Sequence, residues 1–294
     1  MSEPRKGSSL HATAAGFKCQ PDLRYDMPVV FGPSELPLVS RWGYLRNISI
    51  DFVTDYESVR PLVPTRLDIS REPVVTFCRR SFDDVDYLGG RGYEEMCVGV
   101  AVTDPDSDES NAGMFWLALW VDDARAAAVG RELTGWPKLG GSFSPVEVDG
   151  TRGWRFGLAE YGNALIDGQV SSAEPLEREA FSRYTRDCAE GGYSYCQRHF
   201  EAIVDGDGVS QLTRTRTVFT PTSAFVGVGS LALRVPEWIA APHSARIMAA
   251  LTALPVLRWL PATVSEGSLS IDRGTTTALT DETVSALREV GATK

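Results

Sequence analysis

Lysine is scarce in this sequence. Lys and Arg together number 29, yet the only lysines are Lys6, Lys18, Lys138 and Lys294. Three of these lie in or beside expected tails, which leaves Lys138 as the single lysine of the folded body. Other absences bound what the chain does. Net charge is −10 with a pI near 4.9, and such an acidic surface repels phosphate backbones, so nucleic acid is not an expected partner. No stretch approaches the roughly 20 consecutive apolar residues that a membrane span needs, so no membrane partner is expected. The segment from Met1 to Gly16 mixes Arg5 and Lys6 with small and polar residues around no apolar core, which argues against a signal peptide. The cysteines, Cys19, Cys78, Cys97, Cys188 and Cys196, form no CxxC pair, which suits free thiols in a reducing cytoplasm. Cys188, Cys196 and His199 match no zinc spacing. The acidic run Asp83, Asp84 and Asp86 matches no calcium loop and reads as a solvated face. No metal and no organic cofactor is expected.

What is present converges on Lys138. Arginine stays charged in any protein, whereas a lysine shielded from water can lose its proton near neutrality and attack a carbonyl to form a Schiff base. Scarcity alone also fits a coding bias toward Arg that leaves one surface remnant, so the surrounding residues decide. Asp122 or Asp123 can cap a helix through Ala124–Val129, Gly135 can stop it, and Pro137 forbids its continuation. Lys138 therefore follows a helix end in a turn of fixed φ, between Trp136 and Leu139. A helix C-terminus favours the cation by about 0.3–1 kcal/mol. Full burial acts the other way by up to roughly 3–5 pKa units, so desolvation is the larger effect if the amine is buried.

The run Ala128-Val129-Gly130-Arg131-Glu132-Leu133, followed by Trp136-Pro137-Lys138, resembles the Schiff-base lysine segment of the acetoacetate decarboxylase superfamily. Resemblance extends from about Arg46 to Ile271. It implies that Lys138 forms the Schiff base and that Glu95, in Tyr93-Glu94-Glu95, matches the family's essential Tyr-x-Glu glutamate. Glu94 and Glu95 point to opposite faces of a strand, so one of them faces inward. Arg46, Trp136, Tyr93 and Glu266 are the candidate substrate-binding residues. The family arginine near Arg46 aligns one position earlier, and a one-residue shift in a strand reverses the face. Two departures stand out. Leu139 occupies the place of a second family lysine that helps depress the pKa of the first, and Cys78 stands where family decarboxylases carry a glutamate.

Hydrophobic residues make up 43% and charged residues 23%, a balance that supports a buried core. Residues 1–30 read as a flexible arm, 31–275 as a single domain and 276–294 as a tail with a helix at Asp281–Val290. Residues 17–43, rich in proline, are expected to be irregular and to wrap the core. Alternation marks strands from Tyr44, at Pro73–Cys78 and at Tyr93–Val102, with Ser81–Gly92 as a loop or lid between the last two. Met114–Val121 is apolar on both faces and should be central. Further alternating segments follow, with helices near Pro175–Glu177 and at Ser244–Leu254, the latter capped by Ser244, and a closing strand at Val264–Ile271. The expected fold class is α+β, a large antiparallel sheet closed into a cone-like β-barrel with a few peripheral helices.

The expected function is that of a Schiff-base lyase acting on a small keto acid, with aldol condensation, dehydration or cyclisation ahead of decarboxylation because the acids for that step are incomplete. The alternatives are a true β-keto acid decarboxylase and a non-catalytic small-molecule binding protein. By analogy with the superfamily, a homo-oligomer is expected.

Overall fold

Alternating burial builds one large sheet in the computed structural model, which describes residues 17–107, 111–150, 152–201, 208–280 and the backbone of 282–284. Two units are distinguished, Met1–Leu36 and Pro37–Lys294. In the first, residues 17–36 are irregular apart from one 3-10 turn at Val29–Phe31. The second begins with strand β1 (Val39–Val53), earlier than the expected Tyr44. After a short helix, α1 (Tyr56–Val59), come β2 (Val74–Val85), β3 (Arg91–Thr103) and β4 (Ala112–Val121). Helix α2 (Ala124–Val129) and a π-helical turn at Gly130–Thr134 then lead into β5 (Lys138–Gly140).

Small strands β6 (Ser142–Phe143) and β7 (Glu147–Asp149) precede β8 (Gly153–Glu160) and β9 (Asn163–Pro175). Helix α3 (Arg178–Glu190), β10 (Gly192–Phe200) and β11 (Gly208–Leu233) follow. The chain then runs through α4 (Ala245–Thr252), β12 (Arg258–Trp259), β13 (Ala262–Ala278) and β14 (Glu282–Val284).

The strand order β10-β4-β3-β2-β1-β13-β11 returns to β10 through a β10–β11 pairing, so seven strands close a ring. Beyond the ring, the C-terminal half of β11 carries β9, β8 and β6. Closure removes open edges, each of which would present unpaired backbone groups. The sheet is mixed rather than wholly antiparallel, because β4 runs parallel to both β10 and β5. As expected, β4 is central, held by β3 on one side and by β10 and β5 on the other.

Two hydrophobic clusters use the two faces of the sheet. Trp42, Phe82, Tyr93, Cys97, Leu119 and Trp136 belong to one, whereas Ile48, Phe77, Met96, Trp120 and Leu158 belong to the other. Period-two alternation in β1, β2 and β3 assigns neighbouring residues to opposite faces.

Several expectations are corrected. Most of Ser81–Gly92 is strand, because Phe82 and Val85 are buried while Asp83 and Asp84 face solvent; the connection is the 3-10 turn Asp86–Leu88 and two glycines of positive φ, Gly89 (66°) and Gly90 (81°). Strand β11 is one element of 26 residues where the alternating pattern, read as Gln211–Thr220 and Ser223–Leu233, suggests two, since Pro221 sits at a register shift against β13 and does not stop it. The Ser244 hydroxyl does not cap α4; it accepts a hydrogen bond from Trp120 Nε1 at 2.9 Å. Glu282–Val284, expected within a tail helix, pairs with β11 as a strand, and the remainder of that segment lies outside the described residues. Among the described residues, no helix is long and apolar enough to cross a membrane.

Candidate active site

Lys138 is placed by the segment that leaves β4. Asp123 caps α2 by accepting the Ala126 N–H at 2.7 Å, as the sequence suggested. The chain then widens into the π-helical turn, where the Thr134 hydroxyl donates to the Gly130 carbonyl at 2.8 Å. Gly135 ends the turn at φ 80°, a conformation that suits glycine. Pro137 follows, and β5 pairs Lys138 beside Leu119 of β4. Arg131 Nη1 donates to the Lys138 carbonyl at 2.9 Å, and the Thr213 hydroxyl donates to the Thr134 carbonyl at 2.6 Å. Gly130 is needed for space, since a Cβ there would lie 2.9 Å from Lys138 Cδ. The side chain thus has a fixed backbone at its base and a glycine beneath its stem.

The amine ends in a buried polar group. Lys138 Nζ lies 3.0 Å from Glu95 Oε2, with side-chain exposures of 2% and 0%. The other carboxylate oxygen, Oε1, accepts from Cys97 Sγ at 3.0 Å and from Arg80 Nη1 at 3.4 Å. Arg80 Nε donates to Asn47 Oδ1 at 3.2 Å. Register explains the cluster, because Asn47, Arg80, Glu95 and Val121 are successive cross-strand partners on β1, β2, β3 and β4. Rings of Tyr93 and Trp136 lie 5.2 and 5.1 Å from the amine, within cation–π range.

Burial by itself pushes the Glu95 carboxyl up, but Lys138 and Arg80 outweigh it and hold the carboxyl below its ordinary range. Burial works against the Arg80 cation too, yet the facing Cys97, Cys78 and Glu95 leave its pKa raised. Burial pushes the Cys97 thiol far up, with Glu95 adding to the shift despite Arg80, so Cys97 donates its S–H as a neutral group. Tyr93 is likewise held neutral, chiefly by burial and then by Glu95, and its hydroxyl accepts from Trp42 Nε1 at 3.3 Å.

Beside the amine is a small hollow of about 20 Å³ whose walls include Trp42, Tyr87, Gly130, Trp136 and Arg273. Among the described residues, no group of three or more His, Cys, Asp or Glu is arranged to hold a metal ion.

Of the candidates named from sequence, the structure brings together Lys138, Glu95, Tyr93 and Trp136. It does not bring Arg46 or Glu266 to them. Arg46 Nε and Glu266 Oε1 form their own pair at 2.9 Å, and the side chains are 28% and 35% exposed. Arg46 is the neighbour of Asn47 in β1 and so points to the opposite face, and Glu266 lies directly across from it. Glu94 takes that face as well, bonded to Arg79 and to the Ser81 hydroxyl.

Sequence reasoning missed Arg80, Cys97 and Arg273. A hairpin turning at Asp86–Leu88 places Arg80 opposite Glu95, and this was concealed by reading Ser81–Gly92 as a loop.

The acetoacetate decarboxylase family model matches residues 26–283. Acetoacetate decarboxylase of Clostridium botulinum (strain Eklund 17B / Type B) is 33% identical over 90 residues, 31% of this chain and 34% of that protein. The match therefore spans about a third of that relative's length. Acetoacetate decarboxylase from Legionella pneumophila superposes with a TM-score of 0.67 at 20% identity, covering 85% of this chain and 92% of that one. The enduracididine biosynthesis enzyme MppR complexed with pyruvate superposes with a TM-score of 0.65 at 14% identity, covering 88% and 98%. A second structure of MppR holds the condensation product of pyruvate and imidazole 4-carboxaldehyde. At these identities the superpositions speak for the fold, and the matched residues, nearly the whole chain, place it in a family. This chain belongs to the acetoacetate decarboxylase family.

Proposed function

We propose that the chain is a Schiff-base enzyme that uses Lys138 to condense a small keto acid, with aldol-type or dehydrating chemistry as the outcome. The observation that carries this reading is an amine 2% exposed, 3.0 Å from a fully buried carboxylate and beside a hollow. To attack a carbonyl, the ammonium must first lose a proton, and Glu95 Oε2 is the acceptor within reach. Nζ then bonds to the carbonyl carbon, and Glu95 returns the proton as the carbinolamine oxygen departs as water. The resulting iminium withdraws electrons from the adjacent carbon. Glu95 can remove a proton there to give an enamine, which adds to an aldehyde. Arg80 and Cys97 keep the carboxylate in its basic form between these transfers.

Condensation is favoured over loss of carbon dioxide by two departures from the family pattern. Leu139 follows Lys138 in place of a second cation, and Cys78, a buried thiol pushed upward mainly by burial, lies on the same face of β2 as Arg80 in place of an acid. The complexes of MppR, which shares this fold, with pyruvate and with a condensation product of pyruvate and imidazole 4-carboxaldehyde support the same reading. Decarboxylation remains the second reading, favoured by the segment 33% identical to a clostridial acetoacetate decarboxylase.

Proton exchange tests the proposal. In deuterated water, pyruvate should lose its methyl proton signal in the presence of the wild-type chain, and Lys138→Met and Glu95→Gln should both abolish the exchange. Pyruvate methyl protons that exchange no faster with enzyme than without it would overturn the enamine step. Rapid carbon dioxide release from acetoacetate would replace condensation with decarboxylation.

A further inference from the structure

The hollow beside Lys138 has a charge pattern at odds with the rest of the chain. The chain as a whole carries a net charge of −10, yet the charged residues lining the hollow are Lys138 and Arg273, with no Asp or Glu among them. These two cations come from different elements, β5 and β13. Arg273 Nη1 donates to the Pro37 carbonyl at 3.1 Å and to the Ser40 hydroxyl, and the guanidinium lies 5.2 Å from the Tyr87 ring centre. Its head group is therefore held at the wall instead of trailing into solvent. Trp136, 7% exposed, also lines the hollow, and its indole Nε1 is buried with no hydrogen-bond partner. Lys138 is already matched by Glu95, so the features of this small hollow that suit an anion of few atoms are the Arg273 guanidinium and the indole N–H of Trp136.

We propose that Arg273 binds the substrate carboxylate in the Lys138 hollow, which makes the site selective for small keto acids over neutral carbonyl compounds of the same size. This deepens the Schiff-base reading and rests on it for the second contact, in which the substrate carbonyl meets Lys138. Arg273 takes the part that the sequence suggested for Arg46, whose side chain lies on the other face. The assignment bears on the fate of the substrate. A carboxylate paired with a guanidinium is stabilised as the anion, and that stabilisation is lost if the group departs as carbon dioxide, so the carboxylate is retained in the product.

The test compares pyruvate with methyl pyruvate, the same electrophile without the charge, in the wild-type chain, Arg273→Met and Arg273→Lys. Borohydride capture at Lys138 reads the covalent step. Arg273→Met should need about ten- to a hundredfold more pyruvate for half-capture, the loss of a charge-assisted bond, while capture of the ester is unchanged. Arg273→Lys should recover part of the loss. Misfolding lowers both captures together, so the ratio of acid to ester isolates the anchor. An unchanged ratio in Arg273→Met overturns the proposal. A second measurement removes the covalent step, using saturable binding of pyruvate by NMR in Lys138→Met and in Lys138→Met with Arg273→Met. Binding kept in the first and lost in the second supports the anchor even where no adduct forms, in which case only the Schiff-base reading fails. Equal binding in the two overturns the anchor.

Discussion

Replacing Lys138 by Met removes the amine and leaves Glu95, whose side chain has no exposed surface, as a buried charge. Breaking a buried pair from one side costs roughly 3–5 kcal/mol, because the surviving ion keeps its desolvation penalty without its partner. Here Cys97 and Arg80 still hold Oε1 at 3.0 and 3.4 Å, which places the expected loss at the lower end, about 3 kcal/mol at neutral pH. For a chain of this size that is a fall of about 6–12 °C in Tm.

The loss should depend on pH. In the wild type the Glu95 pKa is depressed, so its contribution is present above the unfolded carboxyl pKa of about 4.3 and disappears as pH falls through the folded value. In Lys138→Met, burial meets less opposition and the carboxyl pKa climbs. Glu95 then takes up a proton on mild acidification, and the penalty relative to wild type shrinks as pH falls from neutral toward 5. Urea unfolding of both proteins across that range is the assay. A loss below about 1 kcal/mol, the scale of an exposed pair, or one that does not change with pH, would refute a buried Lys138–Glu95 pair.

Three further outcomes follow from the geometry. Glu95→Gln keeps the shape but removes the proton acceptor, and should lower turnover by about 10²–10⁴-fold, measured in steady-state assays on a keto acid with an aldehyde. Gly130→Ala puts a methyl group 2.9 Å from Lys138 Cδ; it should cost about 1–3 kcal/mol in urea unfolding and reduce covalent capture, because the stem must shift. Arg46→Met removes an ion pair that is 28% and 35% exposed on the opposite face, so it should change stability by less than about 1 kcal/mol and leave capture at Lys138 unaltered.

What could be read in the sequence was local. Lys138 stood out as the one body lysine, and its supports, Asp123 as a cap, Gly135 as a stop and Pro137 as a break, are short-range signals with fixed stereochemical causes. Glu95 followed from the resemblance of Tyr93-Glu94-Glu95 to the family's Tyr-x-Glu, alternation adding only that one of the two glutamates faces inward. Central β4 was legible because both of its faces are apolar. Features that depend on pairing were not legible. Arg80 meets Glu95 only once the β2–β3 register is known, and the acidic run that looked like a loop conceals the turn defining it. Arg46 and Glu266 failed for the same reason, since the sequence left open which face of the sheet each would join. The parallel β4–β10 contact joins distant segments, and nothing in either one records it. Arg273 looked like any other arginine until the ring of strands brought β13 beside the Lys138 turn.

Reductive trapping with peptide mapping decides whether Lys138 is the amine that bonds to the substrate carbonyl. After incubation with pyruvate and borohydride, the peptide containing Lys138 should carry the reduced keto acid, and Lys138→Arg should carry none. Recovery of that peptide unmodified across several keto acids, or an adduct confined to Lys18, would contradict the assignment of Lys138 as the covalent amine.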